Sequence, residues 1–392
     1  MRKITRISGI FFLNISLIAA LLEILLRLTA SSLPGSIGIT ARWITTGQPF
    51  AENWTPAWQQ NRDHYYALRP GLDHAPQYGS PSVSFRLSTI ELWEGGGIGF
   101  RTDPIDFFVD AVVVGDSFGM CFTERVDCWV DQFAAQTGLK VVNLSQPVTG
   151  TTSHYRILRD FGKFLEPPLV IWQFFGNDFN DDYGLAVFRG DLEEAEPDNP
   201  AQDEPSGMLE GLQRHSVLLA VIETLVTGRF SGVPAAEQVF VKPYRVTYGI
   251  ENEHTLQFGG LYERQSLDMS RQANQIGLGL SRDALLAAQE MIAGWGGKLI
   301  VVIIPTREEV YAALTAPIMG EAELARLVSA REAMLTLCAE INLDCYDLYA
   351  PFAERALAGE ALYYSDDMHL NPHGNAVMAA ALTNTLQESR NP

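Results

Sequence analysis

From residue 107 onward, short runs of almost unbroken apolar residues alternate with longer stretches whose apolar positions recur every three or four residues. The runs occupy 109–114, 139–144, 169–175, 298–304 and 343–348. A strand that is apolar along its whole length has both faces covered, and covering both faces of a sheet takes helices on both sides. The periodic stretches supply them, around 129–136, 153–164, 282–293, 321–340 and 375–388. The repeated order strand, helix, strand predicts an α/β fold with a mostly parallel sheet.

Two regions break this rhythm. Residues 31–106 carry no long helical stripe and are rich in Trp, Tyr, Pro and Gly; within them 65–72 and 81–87 read as short strands or turns of an accessory lobe. From about 183 to 275 the alternation is interrupted by an insertion, in which 191–206 is an acidic, proline-rich exposed loop and 215–225 an apolar helix. The insertion reads either as a lid beyond the carboxyl ends of the strands or as a solvated decoration. The expected division is a hydrophobic leader at 1–30, the lobe at 31–106, and the α/β domain at 107–390.

The leader has its own pattern. Arg2, Lys3 and Arg6 precede an apolar stretch at 10–22, softened by Asn14 and Ser16, and Glu23 and Arg27 follow one helical turn apart. A signal anchor is expected, a single-pass membrane helix with the remainder of the chain exported. A cleaved signal peptide ending near Ala30-Ser-Ser, which would leave a secreted or periplasmic chain, and a soluble amphipathic helix are the alternatives.

Charge narrows the partners. With 28 Lys plus Arg against 47 Asp plus Glu, the formal charge is −19, which repels phosphate backbones and argues against nucleic-acid binding. Cys121 and Cys128 stand seven apart, as do Cys338 and Cys345, and neither spacing is that of a zinc knuckle. Export would permit a disulfide within each pair; the competing reading is four small buried hydrophobes.

Three polar segments sit just beyond apolar runs. Gly115-Asp116-Ser117-Phe118-Gly119 follows the first, so a tight turn can hold the Ser117 hydroxyl at the sheet's carboxyl end with helix amides aimed at it, or Ser117 can simply cap that helix. Gly176-Asn177-Asp178 follows the third run; Asn177 can donate to an oxyanion, or the segment is an ordinary Asn-Asp turn. Asp366-Asp367-Met368-His369 lies near the C-terminus, where His369 can strip the serine proton and later protonate a leaving alcohol. The three-residue offset lets Asp366 orient the imidazole, with Asp367 as a competing orienter. No metal-ligand cluster forms around His369 and His373, and serine chemistry needs neither metal nor cofactor.

These segments, in this order, resemble the SGNH or GDSL-like hydrolases, over roughly residues 107–390, and Gly99-Phe100-Arg101 resembles the lead-in of membrane-associated bacterial members. The resemblance implies a three-layer α/β/α, flavodoxin-like domain. It implies Ser117 as nucleophile, His369 as base, Asp366 as its orienter, and an oxyanion hole from the Ser117 amide, a block-two glycine amide and the Asn177 side chain. Block two departs from the pattern: Pro147-Val148 stands where Pro-Gly is frequent. Gly150 is then the expected donor, with Val148 crowding the acyl group, while His154 and Arg307 are candidate substrate contacts. The implied activity is that of a serine esterase on an acetyl or short acyl ester, carried by a small molecule, a glycan or a lipid of the cell envelope. An O-acyltransferase using the same residues, and a non-catalytic carbohydrate-binding or assembly protein, are the alternatives.

Overall fold

The computed structural model describes residues 2–33, 35–46, 57–79, 83–105, 108–194, 215–227, 242–249 and 253–390. The chain divides into two units, one of Met1–Trp54 with Pro197–Pro243 and one of Thr55–Glu196 with Tyr244–Pro392.

The larger unit begins with small antiparallel pairs. Strand β1 (Trp58–Asn61) pairs with β2 (Tyr65–Leu68); β3 (Asp73–His74) pairs with β6 (Leu87–Ser88), and β4 (Gln77–Tyr78) with β5 (Val83–Ser84). The five apolar runs then become β7 (Ala111–Val114), β8 (Val141–Asn143), β9 (Leu169–Phe174), β12 (Lys298–Ile303) and β13 (Asp344–Asp347). Between β9 and β12 a separate hairpin is formed by β10 (Tyr244–Tyr248) and β11 (His254–Phe258).

The five-stranded sheet runs β13-β12-β9-β7-β8 and every neighbouring pair is parallel. Every residue of β7 is buried, as are the last five of β9 and of β12, which is why these strands lack polar alternation. Right-handed crossovers dictate the layers. Helix Trp129–Thr137 packs with Pro372–Arg390 on one face, and Thr151–Ile157 and Asp178–Arg189 pack with Gln272–Gly294 on the other. In order of sequence the sheet is 2-1-3-4-5, the flavodoxin-like arrangement. The strand order reverses between β7 and β9, which opens a crevice beyond their carboxyl ends, and Ser117 and Asn177 follow those two strands.

The smaller unit holds helices Arg2–Thr29, Gly35–Thr46 and Val217–Thr227. Ala30, Ala41, Val217 and Val221 form its buried centre. Glu23 accepts hydrogen bonds from the Val217 and Leu218 amides and the Ser216 hydroxyl, capping the last helix, and Arg27 pairs with Glu23 at 2.7 Å. The expected spanning helix is therefore corrected: among the described residues no helix is long and apolar enough to cross a membrane. The polar positions within and beyond 10–22 lower its hydropathy, and Glu23 serves an internal contact. Of the acidic run at 191–206, the part from 195 on lies outside the described residues. Both close cysteine pairs are disulfides, Cys121–Cys128 and Cys338–Cys345, rather than four separate hydrophobes.

Candidate active site

The turn after β7 places the serine. The Asp116 amide donates to Gln173 Oε1 at 3.0 Å, and the Asp116 carboxylate accepts from the Phe118 amide at 2.8 Å, capping the short helix Ser117–Met120. Asp116 thus takes the capping role that Ser117 might have filled, and the serine hydroxyl is left for chemistry. Burial pushes Asp116 up to about 6. Behind the turn the buried Arg101 guanidinium donates to the carbonyls of Met120, Cys121 and Thr123, so the Gly99-Phe100-Arg101 segment braces the nucleophile loop.

Ser117 Oγ lies 2.7 Å from His369 Nε2. On the other side of the ring, Nδ1 lies 2.5 Å from Asp367 Oδ1 and 2.9 Å from the Tyr78 hydroxyl. The orienting carboxylate is therefore Asp367, where the three-residue offset had favoured Asp366. The reason is local. Asp367 Oδ1 also accepts the His369 amide at 2.9 Å, an Asx-type turn that carries the same oxygen to the ring nitrogen of the residue two positions on. The loop is held by the Tyr364 amide donating to the His369 carbonyl and by Arg307 Nη1 donating to the Asp367 carbonyl at 2.7 Å. Three aromatic rings surround the imidazole, Phe118 at 4.7 Å, Phe122 at 4.6 Å and Tyr78 at 5.8 Å between centroids.

Block two lies across the crevice. Val148 has φ 54°, a left-handed backbone that costs a β-branched residue strain and suits glycine. Gly150 precedes helix Thr151–Ile157, and a Cβ there would fall 2.3 Å from the Asp178 carbonyl; its bareness serves close packing. Asn177 is buried, and its Nδ2 donates to Asp181 Oδ2 at 3.0 Å and to the Tyr262 hydroxyl at 3.2 Å. Its amide hydrogens thus have internal acceptors already, unlike the free donor the sequence suggested.

Beneath Asn177 lies a buried set of carboxyls. Burial, with repulsion from Asp116 and Asp182, raises Asp178 and Asp181 well above the usual carboxylate range, and burial lifts Asp182 to about 7. His154 is wholly buried against Thr149 and Trp172, and burial drives it down to about 3, so its expected substrate contact is replaced by an internal role. Arg307 is likewise fully enclosed, paired with Glu263 and Glu308 at 3.5 and 3.4 Å, and its place is beneath the Asp367 loop rather than against a substrate. Val148 remains partly exposed. Among the described residues no group of three or more His, Cys, Asp or Glu side chains is placed to hold a metal.

Sequence reasoning missed Tyr78, Tyr262 and Gln173. Gln173 carried a signal, a polar residue within an otherwise apolar strand. Tyr78 and Tyr262 lie in segments without strong periodicity, and nothing in their neighbours marks them.

Residues 260–392 match the family described as SGNH hydrolase-like domain, acetyltransferase AlgX. Among curated proteins none matches. A lipase/acylhydrolase from Enterococcus faecalis is 13% identical, covering 71% of this chain and 96% of that one with a TM-score of 0.35. An acetyl xylan esterase, AlAXEase, is 11% identical, covering 70% of this chain and 98% of that one with a TM-score of 0.36. The C-terminal third of the chain is thus similar to SGNH hydrolase-like domains, and the parallel sheet has the flavodoxin-like strand order.

Proposed function

We propose that this protein is a serine esterase that takes an acetyl or short acyl group from a carbohydrate or lipid ester through an acyl-enzyme on Ser117. The observation that carries the reading is the 2.7 Å approach of Ser117 Oγ to His369 Nε2, with Nδ1 held at the same time by Asp367. A nucleophile in contact with a base, and that base oriented by a carboxylate, is what acyl transfer requires. Ser117 Oγ attacks the ester carbonyl carbon as Nε2 takes its proton. The oxyanion is met by the Ser117 amide, an amide of the Val148–Gly150 turn, and Asn177. Collapse breaks the bond to the alcohol oxygen, which leaves with the proton from Nε2. Water then attacks the acyl carbon, giving one proton to Nε2, which returns it to Ser117.

A second reading is favoured by the family match, whose description includes an acetyltransferase. There a hydroxyl of a sugar replaces water in the second step, with the same proton path. The valine in the Val148–Gly150 turn supports a small acyl group in either case. The two disulfides support an exported chain, secreted or periplasmic, since such bonds persist in oxidising compartments.

The test is steady-state turnover of chromogenic esters from acetyl to long chain by the full chain, beside Ser117→Ala. Acetyl and propionyl esters should turn over best, and the variant should lose on the order of 10⁴-fold in kcat/KM. Equal rates in both proteins would sink the reading. Adding an oligosaccharide acceptor separates its two forms: acylated sugar at the expense of free acid marks transfer.

A further inference from the structure

Tyr78 meets the catalytic histidine from a part of the chain that contributes nothing to the central sheet. It stands on β4, next to Gly79, whose φ is 78°. A Cβ on Gly79 would fall 2.1 Å from the Tyr364 ring, so the bare glycine lets this strand settle against that ring. The Tyr78 ring stacks on Phe122, with centroids 3.9 Å apart and planes 7° from parallel, and meets Tyr364 and His369 edge-on. Its hydroxyl sits 2.9 Å from Nδ1 and also hydrogen-bonds the Asp367 carboxylate.

Proton bookkeeping fixes the direction of these bonds. For Nε2 to accept from Ser117, the imidazole hydrogen must be on Nδ1, and it points to Asp367 Oδ1 at 2.5 Å. A protonated Nδ1 cannot accept from a phenol. The Tyr78 hydrogen therefore goes to Asp367, and the carboxylate receives donors from both the imidazole and the phenol. Burial and the Asp367 charge hold the phenol well above its ordinary ionisation range, so it stays a donor. The other polar groups facing this pair are Asp116, Asp366, Tyr364 and Arg307 on the Asp367 carbonyl.

We propose that Tyr78 is a positioning residue for the acyl-transfer step: its phenol shares Asp367 with His369 and so sets how strongly that carboxylate stabilises the imidazolium, while its ring fixes the imidazole edge. The role rests on the reading of Ser117 and His369 as the reacting pair.

The test is Tyr78→Phe in the full chain, which keeps the ring and removes the donor. Two quantities are measured, turnover on the best ester of the panel and the titration midpoint of His369 by nitrogen chemical shift. Without the phenol the Asp367 carboxylate and the imidazole it orients are less firmly placed, and this loss of orientation should outweigh the stronger base and lower kcat about tenfold with KM changed less than about twofold. Asp367, freed of a competing donor, should hold the imidazolium more firmly, raising the His369 midpoint and the acid limb of kcat/KM by about half a pH unit. A side chain that only filled space would leave the midpoint where it was. Wild-type kcat and an unmoved midpoint overturn the proposal. If neither protein turns over any ester but the midpoint still rises, the esterase reading falls and the positioning role stands; an unmoved midpoint overturns the role whatever the turnover.

Discussion

Around His369 the contacts are already those the chemistry uses: serine on one nitrogen, carboxylate on the other, and aromatic rings around the imidazole. Around Asn177 they are not. Its amide hydrogens lie on Asp181 and Tyr262, and the neighbouring turn is made by a valine with a left-handed backbone. The difference separates two tasks. On the proposed reading the proton relay is organised before any substrate arrives, whereas an ester oxygen would have to draw hydrogen bonds away from internal acceptors. A donor that must change partner contributes less than one waiting unpaired.

The largest expected effect tests the organised half. Asp367→Ala should cost roughly 10³-fold in kcat/KM, against less than about tenfold for Asp366→Ala, since only the former carboxylate is seen against Nδ1. The reverse ranking would restore Asp366 as the orienter. On the other half, Asn177→Ala should lower kcat by about 10²-fold with little change in KM. A loss as deep as that of Asp367→Ala would show the two halves to be equally organised.

The buried carboxyls give the oxyanion side a pH signature. Burial raises Asp116 to about 6 and Asp182 to about 7, against ordinary values of 3.8, and moves Asp178 and Asp181 the same way. Folding then favours the protonated acids, a stabilisation fully present below 3.8 and lost as pH rises through about 7. His154 opposes it, because a histidine pushed down to about 3 costs stability as pH falls below 6.5, and His64, lowered by burial, acts in the same sense. Four acids outweigh two histidines, so Tm should be higher at pH 5.5 than at pH 8 by several degrees, and Asp182→Asn should flatten that dependence. A Tm that falls steadily over that interval on acidification would show these acids to be ionised in the fold. The smallest effect is at Val148. Replacing it by glycine relieves backbone strain, less the entropy glycine loses on folding, for a net gain of about 1 kcal/mol and about 2 °C in Tm. The wider turn should also admit longer acyl esters; an unchanged chain-length profile would show that Val148 does not border the acyl group.

What the sequence revealed follows the same division. Strands β7, β9 and β12 were legible because strands buried on both faces have no polar alternation, β13 was found despite two Asp and partial exposure because it lies within the apolar-flanked run 343–348, and helix 321–340 was read to its ends. The Ser117–His369 contact was legible because the serine lies just beyond an apolar run and the histidine in a polar loop shortly before the last helix. Asp366 and Asp367 were not separable by pattern, since which carboxylate reaches Nδ1 depends on a turn geometry that neighbouring, chemically identical residues do not encode visibly. Tyr78 was out of reach because its strand is two residues long and its partner is 291 positions away. Glu23, read from the sequence as a charge at the end of a span, accepts from the first amide of a helix that begins 194 positions later, a contact no local pattern announces.

The contact between Ser117 and His369 spans 252 residues. A ribosome adds 252 residues after Ser117, the last of them the histidine that faces it. Every nascent product that stops short of residue 369 carries Ser117 without the histidine that faces it, so a message cut before that point yields a chain lacking the pair.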